Sequence, residues 1–353
     1  ESGLCGNCVA INGNYAVVGA YGTNTYKGSA YVFERNSGTW SQTTELTDSS
    51  EEDAVQFGFA VSIYGNYILV GAYNSMDNNI SKSGKAYIFE RNGDGTWVQL
   101  QILYSPRPEV SQFGVAVAIW DSYALIGANL DTGGAGGVVS GAGSAYVYEK
   151  NSSNEWSCAS DLIASDGSNG DQFGRSVAIY GSIALVGAFS TNEGTTVDTG
   201  SAYIFKRNIE GNWIQEKRIV ASNAVDNDRF GSSIGISESH ILFGSPWPEE
   251  EKGSVIFYNY ETIPLVSSAI YSFDTETVFD GTGIIDTDAY SALSTIEGSV
   301  SRTIIATITT THETWDTGKI QLVCSYGEHN DGKKIFGLRL SNYLYYGNSD
   351  GYG

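Results

Sequence analysis

Basic residues are scarce in this chain. Only 19 Lys and Arg stand against 40 Asp and Glu in 353 residues, a formal net charge of −21. That balance excludes nucleic acid and anionic membrane surfaces as partners, since both call for clustered cations. Long apolar runs are missing too. No stretch approaches the length of a membrane span, so no membrane insertion is expected of this segment. The chain opens at Glu1 with no basic-then-apolar leader, which reads as a mature protein or a fragment. The four cysteines (Cys5, Cys8, Cys158, Cys324) are too few and too scattered for a disulfide framework. Cys5-x-x-Cys8 is open to several readings: a redox pair, half a zinc site, two small core residues, or thiols that pair with each other or with a neighbouring molecule. No second Cys-x-x-Cys exists and His240, His312 and His329 lie far apart, so neither a metal site nor a cofactor is expected. Helical periodicity is absent over any segment of ten or more residues.

What the chain has is one phrase written repeatedly. Gln56-Phe57-Gly58, Gln112-Phe113-Gly114, Gln172-Phe173-Gly174 and Arg229-Phe230-Gly231 each precede an alternating apolar stretch. That stretch runs into Gly71-Ala72, Gly127-Ala128, Gly187-Ala188 or Gly244-Ser245. A degraded first copy has Cys5-Gly6 and Gly19-Ala20. The Phe-Gly steps are 56, 60 and 57 residues. Two further marks keep the register. One is Gly28-Ser-Ala-Tyr31 with its copies at Gly84, Gly143 and Gly200, and a looser one at Gly253. The other is a single tryptophan per unit, Trp40, Trp97, Trp156 and Trp213, missing from the fifth. Repeats of this period indicate a propeller, solenoid or array.

Each unit reads as four short β segments: one after Phe-Gly, one running into Gly-Ala, one at Ala-Tyr-Val-Phe, and one carrying the Trp. Val, Ile, Tyr, Phe and Trp favour a half-buried pleated surface, and Asn12-Gly13, Gly65-Asn66 and Asn92-Gly93 mark turns. Four antiparallel strands repeated radially make a propeller blade. The fold class is therefore all-β, a propeller of five visible blades over residues 1–262. The structural residues are Phe57, Gly58, Phe113, Gly114, Phe173, Gly174, Phe230 and Gly231. Each Phe is expected to fill the gap between blades. Each Gly permits a conformation or an approach that a Cβ blocks, and each Trp is expected to pack on an outer strand.

The four marks in register resemble the FG-GAP repeat, the blade unit of the integrin α-subunit propeller, over roughly residues 4 to 260. The resemblance implies an extracellular setting. Its calcium-binding subset carries an Asp-rich loop between the first two strands. Here those hairpins read Asn12-Gly-Asn14, Tyr64-Gly-Asn66, Trp120-Asp-Ser122, Tyr180-Gly-Ser182 and Ser237-Glu-Ser239, too few oxygen ligands for calcium. The chain resembles the metal-free branch.

Residues 263–353 form a second expected domain. Phe279-Asp-Gly-Thr-Gly283 and the strand-rich tract from Ile320 to Tyr346 resemble the front part of a laminin-G-like, concanavalin-type β-sandwich. Its ninety or so residues are fewer than that fold uses, which reads as a chain cut short at its C-terminus. Propeller closure leaves three readings. Residues 264 to 273 complete blade five, the parent carries two more N-terminal blades, or a strand comes from another molecule.

The function expected is an extracellular, non-catalytic adhesion or structural protein at the cell surface or in matrix. Its partners are other proteins or glycans, with self-association into a fibre as one version. Asn79-Ile-Ser81 and Asn151-Ser-Ser153 are N-glycosylation sequons. The alternative is a carbohydrate-active enzyme on a five-bladed propeller. Glycoside hydrolysis uses a carboxylate pair, and the inner-strand segments (9–11, 59–63, 115–119, 175–179, 232–236) contain no Asp, Glu or His.

Overall fold

We analysed a computed structural model. It describes residues 5–49, 55–76, 80, 82–107, 109–133, 139–222, 224–238, 240–246 and 254–259, and the strand backbones of 303–309, 319–328, 334–340 and 343–347. The protein is all-β, and its core is a five-bladed propeller. Blade one holds β1 (Cys5–Asn12), β2 (Tyr15–Ala20), β3 (Ser29–Asn36) and β4 (Thr39–Leu46). Blade two holds β5 (Ala60–Tyr64), β6 (Tyr67–Ala72), β7 (Lys85–Arg91) and β8 (Trp97–Tyr104). Blade three holds β9 (Phe113–Trp120), β10 (Tyr123–Ala128), β11 (Ser144–Lys150) and β12 (Trp156–Leu162). Blade four holds β13 (Phe173–Tyr180), β14 (Ile183–Ala188), β15 (Ser201–Arg207) and β16 (Trp213–Ile219). Blade five has three strands among the described residues: β17 (Ser233–Ile236), β18 (His240–Ser245) and β19 (Ser254–Asn259).

Burial follows position in the blade. The first strand is covered on both faces, as in β9, where only Trp120 is partly exposed. The fourth strand is buried at its ends and faces water between them, as in β12. Such strands read as near-continuous apolar runs inside and mixed ones outside. The first strands pack against one another in order, β1 on β5, β5 on β9, β9 on β13 and β13 on β17, around the axis. The connections from first to second strand and from third to fourth form one end of the propeller, the hairpin face. The connections from second to third strand and from blade to blade form the other, the long-loop face.

The repeated phrase is the joint between blades. Phe57, Phe113, Phe173 and Phe230 are fully buried. Their rings lie on their own blade, Phe57 edge-on to Tyr87 at 5.1 Å and Phe173 edge-on to Tyr203 at 5.2 Å. Their backbones make the crossing: each bridges in parallel to the glycine of the preceding blade, at Gly28, Gly84, Gly143 and Gly200. The next glycine presses its carbonyl against the Gly-Ala step of the preceding blade. A Cβ on Gly71 would collide with the Gly114 carbonyl oxygen, and one on Gly187 with that of Gly231. Gly58 is at φ +83°, and a Cβ there would strike the Ser29 carbonyl.

A second joint lies on the hairpin face. Trp97, Trp156 and Trp213 each meet a tyrosine of the preceding blade edge-on, at 5.9 Å (Tyr15), 5.9 Å (Tyr67) and 5.8 Å (Tyr123). A cation from the Trp blade covers the same ring: Arg91 on Tyr15, Lys150 on Tyr67, Arg207 on Tyr123. The tryptophans thus sit on outer strands as expected, and they also tie blades together. At the fourth junction the tyrosine position holds Ile183, and the fifth unit has no matching Trp. Both partners are gone together.

Cys8 is buried, but Cys5 is exposed, which corrects its reading as a core residue. Cys5 opens β1 opposite Ala20, where β9 and β13 place the buried Phe113 and Phe173. No disulfide joins Cys5, Cys8 or Cys158.

Beyond the propeller, β20 (Thr303–Thr309), β21 (Lys319–Glu328), β22 (Lys334–Leu340) and β23 (Tyr343–Gly347) are described as backbone. β21 pairs antiparallel with β20 and β22 and parallel with β23, and β23 pairs antiparallel with β1. The Phe279-Asp-Gly turn, residues 264 to 273 and the sequon at Asn79 lie outside the described residues.

Candidate functional site at the funnel mouth

Two positions of the repeat meet at the long-loop end, where Tyr21, Phe59, Tyr73 and Arg175 contact one another. One follows Phe-Gly: Asn7, Phe59, Val115, Arg175 and Ser232. The other follows Gly-Ala: Tyr21, Tyr73, Asn129 and Phe189. The repeat fixes where these residues stand but leaves their identity free, because neither is part of a joint. They form the mouth of the central funnel.

Aromatic rings dominate one side. Phe59 packs edge-on to Tyr73 with centroids 4.4 Å apart, and edge-on to Tyr21 at 5.3 Å. Tyr26 extends the row from a tight turn, 6.5 Å from Tyr21, and is exposed. All three inner rings are half-buried. Opposite them stands Arg175 of blade four. Its guanidinium lies 5.9 Å from the Phe59 centroid. Blades two and four are not neighbours, so this contact spans the axis. Arg229 lies 5.9 Å from the Phe189 ring centroid. Burial raises the Tyr73 phenol above its ordinary value, while nearby Arg175 and a hydrogen bond with Gln56 act against that rise.

Amides complete the rim. Asn7 Nδ2 donates to the Phe59 carbonyl at 2.8 Å, and Asn129 Nδ2 donates to Gln172 Oε1 at 3.0 Å. Gln172 Nε2 reaches Ser190 Oγ at 3.4 Å. Gln56, Gln112 and Gln172 take φ of 58°, 54° and 56°, and Arg229 takes 52°. This left-handed backbone is uncommon for residues with a side chain. The two hydrogen bonds that each Gln/Arg-Phe pair donates to the preceding blade hold it there, as at Gln56 to Tyr26 and Phe57 to Lys27, both 2.9 Å.

A second polar cluster sits in the long-loop face between blades two and three. Arg107 Nη2 meets Asp161 at 2.7 Å, and Nη1 meets Asp131 at 3.3 Å and Ser144 Oγ at 2.9 Å. The Tyr146 hydroxyl donates to Asp131, and Glu109 accepts from Thr132 N and Oγ1. Burial pushes the Asp131 carboxyl up to about 7, helped by its hydrogen bond with Glu109. Burial pushes Glu109 up as well, but hydrogen bonds from Asp131 and Thr132 outweigh it and leave Glu109 below its ordinary value. The cluster clamps the loop before β11. Blades one, two and four carry a hydroxyl where this one carries Asp131: Thr23, Ser75 and Thr191.

The glycines and phenylalanines singled out from the sequence are brought together, but as joints. Asn151 is exposed in a hairpin, where its Oδ1 accepts from the backbone of Ser153 (2.8 Å) and Glu155 (3.0 Å). Sequence reasoning passed over the mouth residues. The signal was the position after each repeated Gly-Ala, held by Tyr21, Tyr73 and Phe189 without being required by the repeat.

A family profile described as the FG-GAP repeat matches residues 5–33, 40–89, 156–205 and 213–257. The propeller is built of FG-GAP repeats. The matched segments cover most of blades one, two, four and five and take in β12 of blade three. Blade three, between them, shares their Phe-Gly joint and their strand order. No curated protein matches the chain. In FG-GAP terms the conserved-looking phrase is architecture, and the variable rim of the funnel is where chemistry differs from blade to blade.

Proposed function

We propose that this protein is an extracellular, non-catalytic adhesion or structural protein that recognises proteins or glycans through the long-loop face of its propeller. The observation that carries the reading is the funnel mouth: half-buried aromatic rings, a guanidinium reaching across the axis, and a rim of amides. Aromatic and arginine side chains are the residue types enriched where proteins recognise partners. The FG-GAP propeller is compatible with protein binding, though fold alone does not decide function. The inner strands supply no Asp, Glu or His, which removes the carboxylate pair that a glycosidase of this architecture uses. Residues 263–353 are proposed to form part of a laminin-G-like β-sandwich, and copies of the chain to assemble into a surface fibre or matrix.

The test is to immobilise the chain and titrate matrix proteins and glycans over it, recovering each ligand afterwards. Saturable binding with chemically unchanged ligand is expected. Release of product with turnover overturns the non-catalytic reading. Labelling of intact source cells with a membrane-impermeant reagent should reach the protein; complete protection overturns the extracellular assignment.

A further inference from the structure

We propose that the funnel mouth binds a uronic-acid glycan, with Arg175 taking the sugar carboxylate. This rests on the reading of the mouth as a recognition surface and names its ligand class. The argument begins with charge. In a chain with a formal net charge of −21, three arginines of the propeller are engaged by carboxylates. Arg107 meets Asp131 and Asp161, Arg207 meets Glu149, and Arg218 meets Asp166 and Glu193. Arg175 meets none among the described residues; it lies over the Phe59 ring and beside Tyr73. A guanidinium carries five N–H donors in one plane. Those donors form a fork that matches a carboxylate in bidentate geometry.

Two further features narrow the ligand. The Asn129 Oδ1 and Gln56 Oε1 acceptors are buried without a hydrogen-bond partner. Both belong to the rim, through Gln172 and Tyr73 respectively. A buried acceptor without a donor is destabilising, and a ligand hydroxyl relieves it. Tyr21, Phe59 and Tyr73 present half-buried ring surface beside Arg175. A ligand that offers one carboxylate, several hydroxyl donors and an apolar ring face is a sugar acid. A peptide C-terminus offers the carboxylate without the hydroxyls, and a neutral sugar offers the hydroxyls without the charge.

The experiment is a calorimetric titration of the full chain with trigalacturonate, with its methyl ester, and with a short peptide bearing a free C-terminal carboxylate. Trigalacturonate should bind saturably and weaken with added salt. Esterification should weaken binding at least tenfold, and so should Arg175→Gln. Tyr73→Ala should weaken it as well. Arg35→Gln, on the hairpin face, should leave affinity unchanged. Far-UV spectra and melting temperatures of the variants, matched to the parent, separate lost contacts from lost fold. Equal binding of the ester, equal binding by Arg175→Gln, or tighter binding of the peptide overturns the proposal. If trigalacturonate fails to bind while another matrix ligand binds and is lost in Arg175→Gln, the uronate assignment falls and recognition at the mouth stands. Cleavage of trigalacturonate overturns both.

Discussion

At the scale of single residues, glycine divides into two kinds. Gly71 has an ordinary negative φ, yet a Cβ there would collide with the backbone carbonyl of Gly114 in the next blade. Gly65 sits in a hairpin at φ +56° with open space around it. Gly71→Ala must therefore push two blades apart, and the expected cost is at least the roughly 1–3 kcal/mol of overpacking a close-packed core. Gly65→Ala meets only the left-handed backbone cost of about 1–2 kcal/mol. Denaturant unfolding of both variants checks this; a Gly71→Ala protein no less stable than Gly65→Ala contradicts the joint. Asp131 gives a pH signature. Its carboxyl, facing Arg107, Glu109 and Tyr146, titrates at about 7 in the folded protein against an ordinary 3.8. The folded state then holds a proton that the unfolded chain has released, so this group's contribution to stability falls as pH rises through that window. Glu109, held low, acts in the opposite sense: its contribution is present above its ordinary value and lost as pH falls. In Asp131→Asn the decline between pH 4 and 7 should flatten, measured as unfolding midpoints across pH. An unchanged slope contradicts the assignment.

At the scale of elements, each of the first three blades is joined to the next twice. On the long-loop face backbone meets backbone, so the joint demands glycine and tolerates nothing else. On the hairpin face side chains meet, and the joint can be lost by substitution, as at Ile183. Tyr67 and Trp156 stand 5.9 Å apart edge-on, with Lys150 Nζ 4.2 Å from the Tyr67 centroid. A double-mutant cycle with Tyr67→Ala and Trp156→Ala should return a coupling of about 0.5–1.5 kcal/mol. Coupling near zero would show the two rings to be independent. The Tyr-Trp match was legible in principle, since both residues recur in register. It was missed because the partners lie in different repeats, and a repeat read one unit at a time shows only contacts within that unit.

For the whole molecule, the open question is the edge where blade five meets blade one. Blade five shows three strands among the described residues, while β23 pairs with β1. An exposed strand edge is a template for another chain. If residues 264 to 273 complete blade five, deleting them uncovers that edge. The shortened chain should then aggregate at concentrations where the parent stays dispersed, read by sedimentation velocity. Identical sedimentation would remove that segment from the closure.

The sequence by itself determined the propeller. Strand content, blade count and the Phe-Gly joint all follow from a phrase whose period and residue types are set by local backbone demands and burial. It also determined that the inner strands lack carboxylates. What only the tertiary structure decided is which side chains meet across blades. Arg175 and Phe59 are separated by two repeats and come together because the blades are arrayed around an axis. Asp131 and Glu109, each of which shifts the other's titration, likewise come from different loops, brought together where blade two hands over to blade three. Distance in such a ring is set by radial position, which spacing along the chain does not encode.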